Sequence, residues 1–470
     1  NTLTGNNMNN SLVGGNQTDI IKGISGDNYL DGGAGADTIF AGTGSDDIRG
    51  GSLDDNWLYY TTLADSVDVN INLRSEIATY GTSTDTIVQI KHLQMGDGNN
   101  IVEGNSYSNS FIGGTGEDTL SYSGAASSIS VNIISDGVGT SSGDGSDSFE
   151  NFENYILSGN SDTINLSDIY GSTINGGNGN DIANYETLSA DLTVTIPSGN
   201  NTATISNGIS TDTLENIENI IGGAGDDIFE VSNISGIDTL DGKLGSNTLS
   251  LSGDLDLSNV TLLNFDKIVI LDNETLTLSA KDLDNKTMSI IIGDNANLII
   301  QTTQIENEHD FDNITFTKGT NSTVQLDVIT DVDLTSHNIH GNGNMDIINV
   351  TTGSITLSEA QATTTNLIKG TGTATIEISS DSNSDFTTLL DNSIESNTTI
   401  DFINDSIFTG DFANANITIS DNVTLTTTFD KLEDKQSQLS GLGNIVLSDL
   451  TIDSIDVNSI AGVILGKVTA

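Results

Sequence analysis

Six nine-residue phrases run without a break from Gly5 to Leu58: GNNMNNSLV, GGNQTDIIK, GISGDNYLD, GGAGADTIF, AGTGSDDIR and GGSLDDNWL. Six copies in one frame require a fold that itself repeats at this period. Two columns carry the pattern. The sixth position reads Asn10, Asp19, Asn28, Asp37, Asp46 and Asp55, and the eighth reads Leu12, Ile21, Leu30, Ile39, Ile48 and Trp57. One column is polar oxygen and the other apolar.

On these residues the chain resembles the RTX family of secreted, calcium-binding proteins, whose nonapeptide is GGxGxDxUx. The resemblance implies a parallel β-roll. Glycines turn the backbone, xUx forms a short strand with its apolar residue inward, and two nonapeptides complete one coil. Equivalent loops then recur every second phrase, and each edge carries its own ladder. One is Asp19, Asp37, Asp55; the other is Asn10, Asn28, Asp46. Stacked strands lie about 4.8 Å apart, and two carboxylates at that separation repel by roughly 3 kcal/mol at an effective dielectric near 20. A divalent cation reverses the sign. Calcium suits such loops, taking about six to eight oxygens at flexible geometry from carboxylates and carbonyls, here those of Gly14, Gly32, Gly33, Gly35 and Gly50. The all-acid ladder is expected to hold calcium more tightly than the ladder rich in amides.

The frame returns as MGDGNNIVE, GNSYSNSFI and GGTGEDTLS from Met95, as GGNGNDIAN from Gly176 and as GGAGDDIFE from Gly222. These copies add Asn100, Asp118 with Gly114 and Gly116, Asp181 with Gly177 and Gly179, and Asp227 with Gly223 and Gly225 as calcium candidates. Degenerate copies add Asp162, Asp238 and Asn247. Between them a longer unit recurs. Tyr60, Tyr122 and Tyr185 each precede alternating strands (VDVNINL, ISVNII, LTVTI), followed by STDTIVQIKHL, GSDSFENFENYIL and STDTLENIENII. The spacing predicts three modules, 1–94, 95–157 and 158–250, each a roll segment plus a hairpin packed beside it. Asp85, Asp147 and Asp212 precede the last strand of each module and read as turn-formers, the commoner role for Asp there, or as further ligands.

From 251 to 470 the glycine-acid frame fades into strings of Thr, Ser, Ile, Leu and Asn such as TATIEIS, which is strand composition. TLTLSAKDLDN, SITLSEAQATT and VTLTTTFDKLED each predict a strand followed by a short helix, capped by Ser279, Ser358 or Thr427, with Asp282, Gln361 or Asp430 three residues on. The expected fold is therefore all-β: a β-roll with inserted hairpins, then a second solenoid-like or sandwich-like region with short capping helices. This half resembles, more loosely, the assembly domains of RTX-type surface-layer proteins and large adhesins.

The chain has 66 Asp and Glu against 13 Lys and Arg, a net charge of −53 at pH 7, which repels nucleic acid and anionic lipid. Cysteine is absent, so disulfides play no part, and no apolar run approaches the roughly 20 residues of a membrane span. The first residue is not Met, as expected of a chain processed or cut from a longer one, and the tail IAGVILGKVTA reads as either a secretion signal or a terminal strand. His92, His309, His337 and His340 form no HExxH pair. GTSSG at 139–143 matches a serine-hydrolase elbow formally but is expected in a hairpin turn. The sequence thus predicts a non-enzymatic, extracellular protein that binds several calcium ions. Its partners are other copies of itself in a lateral oligomer or lattice, or a cell-surface glycan in an adhesin. A calcium-binding tail that has lost its enzyme is the third alternative.

Overall fold

The structure, a computed structural model, describes residues 1–52, 55–64, 66–199, 202–302, 311, 313–335, 339, 345–433, 435, 437–448 and 468–469. His309, His337, His340 and the tail from Ile460, apart from the strand Val468–Thr469, lie outside these residues. The chain divides into two compact units, one of residues 1–248 with 262–264 and the other of 249–261 with 265–470.

The first unit is a parallel β-solenoid. Each nonapeptide contributes a strand of three to five residues, and strands alternate between two sheets. In one, Thr2–Thr4, Ile20–Lys22, Thr38–Phe40 and Trp57–Tyr59 stack in parallel, with Leu3 against Ile21, Ile21 against Ile39 and Ile39 against Leu58. In the other, Ser11–Gly15, Tyr29–Gly33 and Asp47–Arg49 stack with Leu12 against Leu30 and Leu30 against Ile48. A three-residue strand points only its middle side chain inward. Ile21, Leu30, Ile39, Ile48 and Leu58 are accordingly fully buried and form the core between the sheets.

The pairing of Ile39 with Leu58 corrects the phase of the sixth phrase. That copy carries one extra residue, so Leu58 and not Trp57 occupies the inward position. Trp57 lies half-buried on the outer face, within a stack that runs Phe40, Tyr59, Trp57, His92 with ring centroids 4.9, 5.9 and 5.0 Å apart.

The inserts differ from the expected hairpins packed alongside. Each is a three-stranded antiparallel meander spliced into the sheet: Asn70–Asn72, Ile77–Tyr80 and Ser83–Val88; Ser130–Ser135, Val138–Ser142 and Ser146–Glu150; Thr193–Ile196, Thr202–Ser206 and Thr211–Glu215. The outer strands of each meander pair in parallel with solenoid strands, as Ile87 does with Ile48 and Ile71 with Val102. Only the middle strand runs backwards.

The second unit is also a parallel solenoid, and not a sandwich. Leu276 pairs with Leu298 and Leu298 with Val324; Ile376 pairs with Ile400 and Ile400 with Ile417. Strand alternation is regular, with one face of each strand buried. The short helices fall where the sequence puts them. Ala280–Asp282 follows Ser279, and Glu359–Thr364 follows Ser358 with a reciprocal capping box to Gln361. At Phe429–Leu432 the cap is Thr428, one residue later than expected, because Thr427 still belongs to the strand Thr424–Thr427 and is buried. Among the described residues no helix is long and apolar enough to cross a membrane.

Candidate metal centres

In the first unit the residue two positions before each inward apolar side chain sits at the sheet edge, where the loop closes onto the strand. Asp19 precedes Ile21, Asp37 precedes Ile39 and Asp46 precedes Ile48; all three are buried. Asp37 and Asp46 turn along the solenoid axis and accept the main-chain N–H of the equivalent residue one turn back, while Asp19 Oδ1 accepts from the ammonium of Asn1 at 2.5 Å. Asp19 N–H donates to Asp37 Oδ1 at 2.8 Å, and Asn10 N–H donates to Asn28 Oδ1 at 2.9 Å. Asn28 N–H donates to Asp46 Oδ1 at 2.6 Å. These N–H groups have no β-ladder partner, so the rung satisfies them.

The same rule corrects Asp55. Asp37 N–H donates to Asn56 Oδ1 at 2.8 Å, and Asn56 is buried two residues before Leu58. Asp55 is two-thirds exposed and bridges to Lys91 Nζ at 2.5 Å, with His92 Nε2 at 3.6 Å. It belongs to no ladder, and Lys91 holds its carboxyl below the usual range. The acid ladder therefore ends in an amide.

Further along, Asn100 N–H donates to Asp118 Oδ1 at 2.7 Å, Asp162 N–H to Asp181 Oδ1 at 2.7 Å, and Asp227 N–H to Asn247 Oδ1 at 2.9 Å. Asp238 departs from the pattern. It stands two residues before Leu240, but its side chain is exposed and takes the amide of Asn180. Three rungs escaped the motif: Asn56, Glu153, which accepts Asp118 N–H at 2.7 Å, and Glu218, which accepts Asp181 N–H at 2.8 Å. Counting two residues back from the inward Leu58, Tyr155 and Ile220 finds all three.

Asp85, Asp147 and Asp212 are rungs too, buried and within strands, so they are not turn-formers. Asp85 Oδ1 accepts Asp46 N–H at 2.8 Å and Asp147 Oδ1 accepts Asn109 N–H at 2.8 Å; Asp212 Oδ1 accepts Ser172 N–H at 2.9 Å. The second oxygen of each takes the hydroxyl of the module's tyrosine: Tyr60 at 2.8 Å, Tyr122 at 2.8 Å and Tyr185 at 3.2 Å. Ser141 of GTSSG lies in a strand instead of a turn and hydrogen-bonds Tyr122 and Asp147.

The glycines serve close approach and the left-handed backbone. A Cβ on Gly14 would stand 2.4 Å from Gly32 O and 2.7 Å from Asp19 Oδ2; on Gly32, 2.4 Å from Asp37 Oδ2 and 2.6 Å from Gly50 O. Gly33, Gly35, Gly114, Gly116, Gly177 and Gly179 hold positive φ at the loop turns, where a side chain would be strained. Gly50 crowds Gln89 O, and Gly223 and Gly225 crowd the carbonyls of Leu188 and Ala190.

A family model for the RTX calcium-binding nonapeptide repeat, in four copies, matches residues 1–23, 22–56 and 96–126. These segments are RTX repeats. No curated protein matches the chain. The structure carries the RTX rung beyond the matched segments, to Asp181 and Asp227.

The RTX edge fits a calcium ion in its donor set. Oδ2 of Asp19, Asp46, Asp118 and Asp181 is buried and accepts no hydrogen bond. At Asp19 it faces Gly32 O across the bare Cα of Gly14. Across Gly113 a Cβ would stand 2.8 Å from Asp118 Oδ2 and 1.9 Å from Asn151 O, and across Gly176 2.6 Å from Asp181 Oδ2 and 2.2 Å from Asn216 O. Oxygens of one sign gathered at such a point need a hard cation, and calcium's flexible all-oxygen shell suits them. Among the described residues no three acidic or histidine side chains cluster, so an ion held here would need loop carbonyls beside the carboxylates. Without a cation, burial pushes the carboxyl of Asp46 up to about 6 and those of Asp85 and Asp181 up to about 7. Burial also raises Asp118, Asp147, Asp212 and Asp227.

Proposed function

We propose that this is an extracellular, calcium-dependent structural protein and not an enzyme, most simply a subunit that assembles laterally with other copies into a bacterial surface layer or lattice. The observation that supports this best is the set of buried Oδ2 atoms of Asp19, Asp118 and Asp181, each brought close to a loop carbonyl where a glycine leaves room. Such a site has no counterpart in the unfolded chain, so ion binding and folding are coupled. At the low calcium of a cytosol the open carboxylates repel and the folded state is least stable, which suits secretion; at millimolar calcium outside it is stabilised. With 66 acids and 13 bases, free subunits repel until calcium screens and bridges them.

Sedimentation and negative-stain microscopy in chelator and in millimolar calcium test the proposal. Ordered sheets or filaments that form only with calcium are expected. A folded monomer that stays dispersed in calcium rejects the lattice and favours a second reading, a calcium-stiffened segment of an adhesin. One feature supports that reading: a groove of about 590 Å³ lined by Arg74, Gln89, Asn105 and the exposed Tyr107, side chains suited to a glycan. A glycan array probed with the calcium-loaded protein separates the two.

A further inference from the structure

The rung column holds two side chains of nearly one shape and opposite needs. At Asn28, Asn100 and Asn247, Oδ1 is pinned by a main-chain N–H of the preceding turn, from Asn10 at 2.9 Å, Val69 at 3.1 Å and Asp227 at 2.9 Å. That bond fixes the amide orientation, because the reversed amide would aim N–H at N–H. Nδ2 is thereby held at the opposite corner, among oxygens. Asn28 Nδ2 donates to Gly26 O at 2.7 Å and, one turn on, to Asp46 Oδ1 at 2.9 Å. Asn100 Nδ2 reaches Gly98 O at 2.7 Å, Gly113 O at 3.2 Å and Asp118 Oδ1 at 2.9 Å. Asn247 Nδ2 reaches Gly242 O at 2.9 Å, Leu244 O at 3.1 Å and Asn264 O at 3.0 Å.

In each case the amide nitrogen joins a loop carbonyl of its own turn to an oxygen of the next. At Asp19, Asp46, Asp118 and Asp181 the corresponding carboxylate corner is Oδ2, buried and without a hydrogen bond. Two other acids are closed by the protein itself. Asp162 accepts Ile129 N–H at 2.6 Å on Oδ1 and Ser158 N–H at 2.6 Å on Oδ2, and Asp227 accepts Leu192 N–H at 2.8 Å and Gly223 N–H at 2.7 Å.

Resting on the calcium reading above, we infer that the asparagine rungs Asn28, Asn100 and Asn247 are ion-free latches, in which the amide NH₂ does the cross-turn bridging that a calcium ion does at an open aspartate rung. Calcium then binds at open carboxylates and not at every copy of the repeat. Turns joined by asparagine hold their edge in the absence of the ion, and turns joined by open aspartates do not.

The test counts ions on the full chain. Wild type, Asn28→Asp, Asn247→Asp and Asp181→Asn are dialysed to equilibrium against millimolar Ca²⁺ and analysed for metal, with circular dichroism melts in calcium and in chelator. Each Asn→Asp variant is expected to gain one ion per chain and to melt lower in chelator. Asp181→Asn is expected to lose one ion and to melt higher in chelator. Two separate asparagine sites guard against a variant that fails to fold. An unchanged ion count in the folded Asn→Asp variants, or an Asp181→Asn chain that melts lower in chelator, overturns the latch. A wild-type chain that binds no calcium while folded overturns the calcium reading itself.

Discussion

Each RTX edge turns on oxygens brought within contact distance of a backbone that has no side chain in the way. Gly113 shows how tight this is. Its φ is not positive, so alanine meets no conformational penalty there, yet a Cβ would stand 1.9 Å from Asn151 O and 2.8 Å from Asp118 Oδ2. Backbone on one side and a pinned carboxylate on the other leave little to yield. Gly113→Ala is expected to destabilise the folded chain by about 1–3 kcal/mol, in the range of other overpacked sites, and to weaken calcium binding. Gly159→Ala has nothing within 4 Å of the new methyl and should change stability by no more than about 0.5 kcal/mol. Calcium-titrated urea melts of the two variants compare them directly, and equal losses would mean that the close approach at Gly113 is not what constrains the residue. At this scale the sequence was legible wherever the frame kept its length. It misled at DDNWL, where two acids and an amide stand in a row and one added residue shifts the phase. Nothing local distinguishes Asp55 from Asn56; the pairing of Leu58 with Ile39 does.

At the scale of elements, the three meanders interrupt the parallel stack, and each is tied in by a tyrosine and an aspartate. Tyr122 is buried, and its hydroxyl meets Asp147 Oδ2 at 2.8 Å and Ser141 Oγ at 2.6 Å. Tyr122→Phe keeps the ring and removes one of the two donors to that oxygen, leaving Ser141 at 3.1 Å. The expected cost is about 1–3 kcal/mol, the penalty for an underpaired buried acceptor. Tyr60→Phe should cost more than Tyr185→Phe, since the Tyr60 bond is 2.8 Å and the Tyr185 bond 3.2 Å. Chemical denaturation of the three variants ranks them, and three unperturbed midpoints would remove the tie. The recurrence of tyrosine and aspartate was visible in the sequence, but their partnership was not. The two stand about 25 residues apart on different strands, and only splicing the meander into the sheet brings them together. A hairpin lying beside the roll, as the sequence suggested, would have left Asp85 and Asp147 at solvated turns.

For the molecule as a whole, the raised carboxyls decide how stability follows pH when calcium is absent. Asp46 titrates at about 6 and Asp85 and Asp181 at about 7 in the folded chain, whereas unfolded they return to the ordinary aspartate value near 3.9. Between these values the folded state binds more protons than the unfolded one, so stability falls as pH rises. The contribution is complete below about pH 4 and is lost as pH climbs through 6 to 7. In chelator the melting temperature should therefore drop between pH 5 and pH 7.5, by on the order of 5 °C. Repulsion within a chain of net charge −53 pushes the same way, but exposed charges are screened within a few ångströms at high salt and buried rungs are not. The drop should thus persist at about 0.5 M NaCl. Millimolar calcium replaces the protons at the open rungs Asp46 and Asp181, so with the ion present the drop should shrink to the share of Asp85, whose second oxygen is held by Tyr60, and calcium affinity should weaken toward pH 5 as protons compete. A chelated chain that melts higher at pH 7.5 than at pH 5 in high salt would show that the buried rungs do not carry the calcium dependence, and would assign it to the exposed acids instead.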